Sequence, residues 1–289
     1  MLTPEQWQEA QKLPANKNWR LIDTGKLPGA LNMGIDEAIL QAAQAGSVPP
    51  TLRVYGWQPA AISLGYFQHG TKEIDFAACQ EAGIDVVRRL TGGRAVLHSS
   101  ELTYSLIVSE NYPGIPLAIT ASYLYLSQGL LKGMQHLGLK AALTVPQGAY
   151  AQRRKIISSA ACFDAPSYYE LTVAGKKLIG SAQVRKNGFI LQHGSILLAA
   201  DPGEIVPLLK LGALEKNALE RLLRNHATNI QTALGRSVTY EEVKAAVVRG
   251  FMEALEIDLK PKKLLPQEMA KAEVLAKNTY QNQAWTKKR

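Results

Sequence analysis

Apolar residues recur at helical spacing over residues 32–45, with Asp36-Glu37 near the start and Gly46 just past the end, so the pattern predicts an amphipathic helix there. Strand-like runs follow at 51–57, 61–66, 84–90 and 102–109, with a short helix over 76–82 between the second and third. A longer helix fits 119–137 and stops at Gly138. Two hairpins, turning at Ala174-Gly175 and at Lys186-Asn187-Gly188, then join runs at 168–173, 178–184 and 189–198. After residue 198 the periodicity becomes helical, with candidates at 202–211, 214–225, 240–256 and 267–278. Pro261 and Pro266 bracket a linker around Lys262-Lys263.

Strands first and helices later predict an α+β fold: mixed or antiparallel sheets with flanking helices. The expected organisation is a catalytic core over 1–200 and a small, mainly helical C-terminal extension over 201–289 that completes the same unit. No repeat, low-complexity tract, long Ser/Gly linker or strict βαβ alternation is visible.

Composition narrows the functional classes. The chain of 289 residues is 46% hydrophobic and 20% charged, which places it among ordinary folded proteins rather than disordered or fibrous ones. No stretch of about 18 uninterrupted apolar residues occurs and the first residues lack a secretory pattern, so no membrane association is expected and the cytoplasm is the expected location. Cys79 and Cys162 are then free thiols. The 33 basic residues against 24 acidic ones give +9, concentrated beyond Lys260. Nucleic acid, an acidic protein, a phosphorylated carrier or plain solvent all match that charge. Without a helix-turn-helix, RRM or KH signature, nucleic acid is not the expected partner.

Three segments hold candidate chemistry. In Arg88-Arg89-Leu90-Thr91-Gly92-Gly93-Arg94, a glycine pair between strands would bring backbone N–H groups close to a ligand while the arginines held a carboxylate or phosphate. A hairpin turn with solvated arginines matches the same spacing. Cys162 lies in a run of small residues before a strand, open to a large acyl donor and near Arg153, Arg154 and Lys155, which would favour a thiolate; burial as a small hydrophobe is the competing reading. Cys79 has the acidic neighbours Asp75 and Glu81 and reads as structural. In the run from Gly175 to Gln183, alternation puts Lys177, Ile179 and Ser181 on one face. An inward Lys177 would donate to a carbonyl gaining negative charge, whereas an exposed lysine pair at a turn is the alternative. The histidines at 69, 98, 136, 193 and 226 show no metal spacing, so no metal is expected; His98 and His193 are the site candidates among them.

Taken together, Asn32-Met33-Gly34-Ile35-Asp36-Glu37, Arg88-Arg89-x-Thr91-Gly92-Gly93-Arg94-Ala95-Val96-x-His98, Glu101-Leu102-Thr103-Tyr104-Ser105, Lys177-x-x-Gly180-Ser181-Ala182-Gln183 and His193-Gly194-Ser195 resemble the biotin/lipoate protein ligase catalytic family, and within it octanoyltransferases of the LipM type. The segment Cys162-Phe163-Asp164-Ala165-Pro166-Ser167 looks like the acyl-thioester cysteine of that type, and the tail through Tyr280 and Trp285 looks like the family's C-terminus. The resemblance implies a tunnel for an octanoyl or lipoyl group walled by the Gly92-Gly93 loop and the Lys177 strand. Cys162 and Lys177 would be catalytic, and Arg88, Gly92, Gly93, Arg94, His98, Gly180, Ser181, Ala182 and His193 would bind substrate. It further implies octanoyl-acyl carrier protein as donor, a lipoyl-accepting protein (a glycine cleavage H protein or a dehydrogenase lipoyl domain) as acceptor, and no cofactor. An ATP-dependent lipoate–protein ligase and an octanoyl amidotransferase acting between carrier proteins are the neighbouring alternatives. One departure stands out: many relatives follow His98 with Asp, whereas this chain has Ser99-Ser100.

Overall fold

The computed structural model describes residues 17–144 and 170–288. The described strands are β1 (Asn18–Leu27), β2 (Thr51–Trp57), β3 (Ala61–Leu64), β4 (Asp85–Arg88), β5 (Val96–His98), β6 (Glu101–Ser109), β7 (Ala141–Thr144), β8 (Glu170–Val173), β9 (Lys176–Lys186), β10 (Phe189–Leu197) and β11 (Asp258–Pro261). The helices are α1 (Gly29–Gln44), α2 (Gly70–Glu73), α3 (Phe76–Glu81), α4 (Ile119–His136), α5 (Ala213–His226), α6 (Ile230–Leu234), α7 (Tyr240–Leu255), α8 (Pro266–Leu275) and α9 (Gln283–Thr286).

Eight strands form one sheet in the order β11-β1-β2-β6-β10-β9-β8-β7, and β4-β3-β5 form a second, smaller sheet. Both sheets are mixed: β1 runs parallel to β11 and to β2, and β3 runs parallel to β4, while the other pairs are antiparallel. The fold is therefore α+β with mixed sheets and flanking helices.

The strand period of two sorts the large sheet into two chemistries. On one face Leu52, Val54, Leu102, Leu106 and Ile196 pack against α4 and α7 through Leu126, Leu130, Val247 and Phe251. On the other, Arg53, Tyr55, Trp57, Glu101, Thr103, Ser105, His193 and Ser195 are all buried although most are polar. Helix α1 and the small sheet cover that second face, with Ile35, Ile39 and Leu40 packing on Ile107 and Leu191. Burying so many polar groups is stable only where each finds a partner, which concentrates hydrogen bonds between the two sheets.

Both hairpin turns occur where the chain signals them: Ala174 and Gly175 have φ of 49° and 76°, and Asn187 and Gly188 have 50° and 80°, matching the right-handed twist of the flanking strands. Other elements depart from the periodicity. The segment expected to be helical over 202–211 holds only the short 3₁₀ turn Val206–Leu208, because Pro207 interrupts an apolar run that packs under the small sheet. The segment around Pro261 is not a bare linker: β11 pairs in parallel with β1, Asn18 opposite Asp258. Helix α8 is tied to β1 by a buried fork, Arg20 Nη1 and Nη2 donating to Glu268 Oε2 and Oε1 at 2.9 and 2.8 Å.

Candidate active site

The loop after β4 is built around Arg89. Its Nη2 donates to the carbonyls of Gly92 and Arg94 at 2.8 Å each, its Nη1 to the carbonyl and hydroxyl of Ser63 at 2.6 and 3.1 Å, and its Nε to Thr91 Oγ1 at 3.1 Å. The guanidinium fork thus fixes the glycine turn as a template would. Gly93 has φ +91°, a conformation that L residues rarely adopt. Gly65, at the end of β3, lies against this turn so closely that a methyl group there would overlap the Gly93 carbonyl.

Thr91 is anchored from the opposite side. Its hydroxyl is 2.7 Å from His193 Nε2, and His193 Nδ1 is 3.3 Å from Asp36 Oδ2. Because the Asp36 carboxylate only accepts, the histidine proton lies on Nδ1, toward Asp36, and Nε2 accepts the proton of Thr91. Asp36, on α1, also accepts from Arg53 Nη1 at 2.7 Å, Tyr55 Oη at 3.0 Å and Ser105 Oγ at 2.8 Å. Burial works to raise the Asp36 carboxyl, but Arg53 and His193 outweigh it and hold it below the usual carboxylate range. Burial lowers His193 below the ordinary imidazole value, and the Asp36 bond offsets this only in part. The imidazole is therefore a neutral brace between α1 and the glycine loop.

Between the sheets lies a narrow cavity, lined by His98, Gly180, Ser181, Ala182 and His193 together with Trp57 and other residues of the two sheets. The Trp57 and His98 rings stack at its wall, with centroids 4.0 Å apart and planes 12° apart. Ser181 and Ala182 also line a shallower groove with Gly92, Gly93, Ile119 and Tyr123. Seven of the nine residues expected to bind substrate thus line these two concave surfaces, which have Ser181 and Ala182 in common.

Two of the nine are placed differently. Arg88 is fully buried, and its five N–H bonds go to the carbonyls of Gly65, Tyr66, Trp285, Thr286 and Lys288. With its fork occupied by backbone, Arg88 serves here as a structural clamp rather than as a substrate ligand. Arg94 contributes its carbonyl to the Arg89 fork.

Lys177 is buried on β9, three residues before Gly180, and its Nζ is 3.0 Å from Glu170 Oε1. The simple alternation fails at this point: Leu171 pairs with Ile179 but Thr172 with Lys177, so Leu178 is an extra residue and the strand is bulged. Cys162 lies outside the described residues. Cys79 is buried in α3, and burial together with Asp75 pushes its thiol up to about 11, which keeps it protonated and inert. Among the described residues no cluster of His, Cys, Asp and Glu suits a metal ion, and no helix is long and apolar enough to cross a membrane.

Sequence reasoning missed two residues at this site. Ser63 carried no motif, and Glu101 was visible only as part of a longer match. Glu101 Oε1 is 2.8 Å from His98 Nδ1, so the carboxylate absent at Ser99 is supplied three residues after the histidine. The spacing on a strand that turns back after a two-residue link was the signal available.

The polar face of the large sheet thus carries a concave site between the glycine loop and the strand of Lys177. The chain belongs to the lipoyl protein ligase A/B catalytic domain family, whose model matches residues 28–252. Octanoyltransferase LipM of Kyrpidia tusciae is 48% identical over 260 residues, covering 90% of this chain and 95% of that protein. Octanoyltransferase LipM of Geobacillus kaustophilus is 46% identical over 278 residues, covering 95% and 100%. Among solved structures, the bi-partite lipoate protein ligase of Thermoplasma acidophilum, studied with its E2 lipoyl domain, superposes with a TM-score of 0.78 at 24% identity, over 94% of this chain and 97% of that one. That likeness speaks to the fold.

Proposed function

We propose that this chain, an octanoyltransferase of lipoate biosynthesis, works in the cytoplasm by two acyl transfers through Cys162. The Cys162 thiolate attacks the carbonyl of octanoyl-acyl carrier protein. A new C–S bond forms, the carrier thiolate leaves, and that thiolate takes up a proton. The amine of a lysine on a lipoyl-accepting protein, a glycine cleavage H protein or a dehydrogenase lipoyl domain, then attacks the enzyme thioester; the amide forms, the Cys162 thiolate is released, and the amine loses its proton. Both electrophiles are thioesters, so neither step needs ATP.

The observation that carries this reading is the cavity beside Gly180–Ala182 on the strand that also holds Lys177. Lys177 lies three residues before Gly180 on the same strand, so its ammonium can serve the carbonyl end of a chain whose tail enters the cavity. There it stabilises the tetrahedral oxyanion and the thiolate. The Gly92-Gly93 turn shapes the entrance. Residues 201–289 complete the same catalytic unit, since β11 and α8 are built onto β1.

An intact-mass time course with octanoyl-acyl carrier protein and no ATP tests this. An octanoyl adduct mapped to Cys162 and discharged by an apo lipoyl acceptor is the expected result. Acceptor modification only with ATP and free octanoate would instead assign the chain to the ligases.

A further inference from the structure

The cavity wall carries Ser63, His98, Thr103 and Ser195, an odd set for a pocket that takes an alkyl chain. Their hydrogen bonds resolve the oddity. Arg89 Nη1 donates to Ser63 Oγ at 3.1 Å, and Ser63 Oγ is 2.8 Å from His98 Nε2. His98 Nδ1 is 2.8 Å from Glu101 Oε1. Thr103 Oγ1 accepts from Trp57 Nε1 at 2.7 Å and donates to Glu101 Oε1, while Ser195 Oγ donates to Glu101 Oε2.

One proton arrangement satisfies all of these at once. Glu101 accepts three bonds, His98 carries its proton on Nδ1, and Ser63 donates to His98 Nε2. Every proton on these four side chains then points at Glu101 or at His98, and none into the cavity. The fork of Arg89 is likewise directed into the protein. Glu101 itself is buried behind the wall.

We infer that Glu101 determines the acyl specificity of this site: as the common acceptor behind the wall it turns the protons of Ser63, His98, Thr103 and Ser195 away from the ligand, so that this end of the cavity takes a plain saturated chain and rejects one whose distal end bears a hydrogen-bond acceptor. The inference rests on the reading of this cavity as the acyl pocket. A ketone held against these four side chains would be stripped of water and meet only lone pairs and carbon, the most unfavourable outcome for a buried acceptor. Replacing the carboxylate by an amide, as in Glu101→Gln, reverses the effect. The amide group donates two protons, so a hydroxyl that faced an oxygen must accept instead and its own proton swings into the cavity.

The test compares wild type with Glu101→Gln on octanoyl- and 7-oxooctanoyl-acyl carrier protein, reading kcat and KM for each. The expected wild-type preference for octanoyl is roughly tenfold or more in kcat/KM, the size set by one buried acceptor left unpaired. Glu101→Gln narrows that ratio about tenfold, mainly through a higher KM for octanoyl and a lower KM for the ketone. Equal use of both donors by the wild type overturns the inference whether or not the variant folds. A variant that loses activity on both donors in the same proportion also overturns it, because that is what a merely structural residue gives. Ser195→Ala removes a hydroxyl whose proton already faces Glu101 and keeps the ratio within roughly twofold; a larger change means that wall protons reach the ligand, and the inference falls. If the wild type uses neither carrier without ATP, the transferase reading has failed, and the same ratio is read with octanoate and 7-oxooctanoate under ATP.

Discussion

Arg88 and Trp285 exchange hydrogen bonds: Arg88 Nε donates to the Trp285 carbonyl at 3.1 Å, and Trp285 Nε1 donates back to the Arg88 carbonyl at 3.0 Å. The glycine loop begins immediately after Arg88, so the C-terminal turn is bolted to the strand that launches the site. The same guanidinium reaches back to Gly65 and Tyr66, the residues on which that loop rests.

This clamp predicts that Arg88→Ala destabilises the protein by about 3 kcal/mol or more, since several buried carbonyls lose their donor together. Arg88→Lys recovers little, because a single ammonium cannot reproduce the fork. Urea unfolding measures the loss. A variant of unchanged stability with a raised KM for the donor would assign Arg88 to substrate binding after all.

Gly65→Ala pushes a methyl group into the Gly93 carbonyl and displaces the loop backbone. The expected outcome is a drop in kcat/KM of about 10² or more, as for misplaced catalytic geometry, with secondary structure retained by circular dichroism. Wild-type turnover would mean that the loop position does not matter to the reaction.

The depressed His193 gives a pH signature. Its folded value lies below 6.5, so the unfolded chain binds the proton first as pH falls. Its contribution is complete above about pH 7.5 and is lost on acidification below about 6.5, at up to about 1.4 kcal/mol per pH unit. Asp36, held below 3.8, acts in the same direction in more acidic solution. Unfolding free energies of wild type and His193→Gln should therefore converge between pH 7.5 and pH 5. Parallel profiles would show that the imidazole is not the titrating group.

Lys177→Met is expected to lower the rate of acyl transfer by about 10²–10³. It also removes the Lys177 ammonium from the buried Glu170, at a cost of up to about 3 kcal/mol. Adding Glu170→Leu removes the buried carboxylate and restores stability but not turnover. Single-turnover transfer and thermal unfolding of the two variants separate the effects; recovery of turnover in the double variant would confine Lys177 to a structural role.

Local signals in the chain foretold the parts of this fold that local chemistry determines. The Asn187-Gly188 and Ala174-Gly175 turns and helix α4 ending before Gly138 follow from short-range pattern, while His98, Gly180, Ser181, Ala182 and His193 at the cavity were expected from the resemblance. What escaped depends on long-range pairing. Strand β1 mixes polar and apolar residues without clean alternation, and its register against β2 shifts between Asp23 and Lys26. Strand β11 is four residues long and contains a proline, and only its partner at Asn18–Leu21 reveals it as a strand. The family pattern points to the residue after His98 for a carboxylate partner, and the chain instead places it across a tight turn, at Glu101. The bulge at Leu178 depends on the register of three strands at once and has no signature in one of them.

Strand β11 also governs how these molecules behave toward one another. Without it, β1 would end the remaining seven strands of the sheet as a ten-residue border with open N–H and C=O groups, the surface on which a second chain can add by strand pairing. With it, the sheet ends in a short strand carrying Lys260 and closing at Pro261, which has no N–H to offer. Four residues thus turn a self-adhesive margin into one that discourages polymerisation.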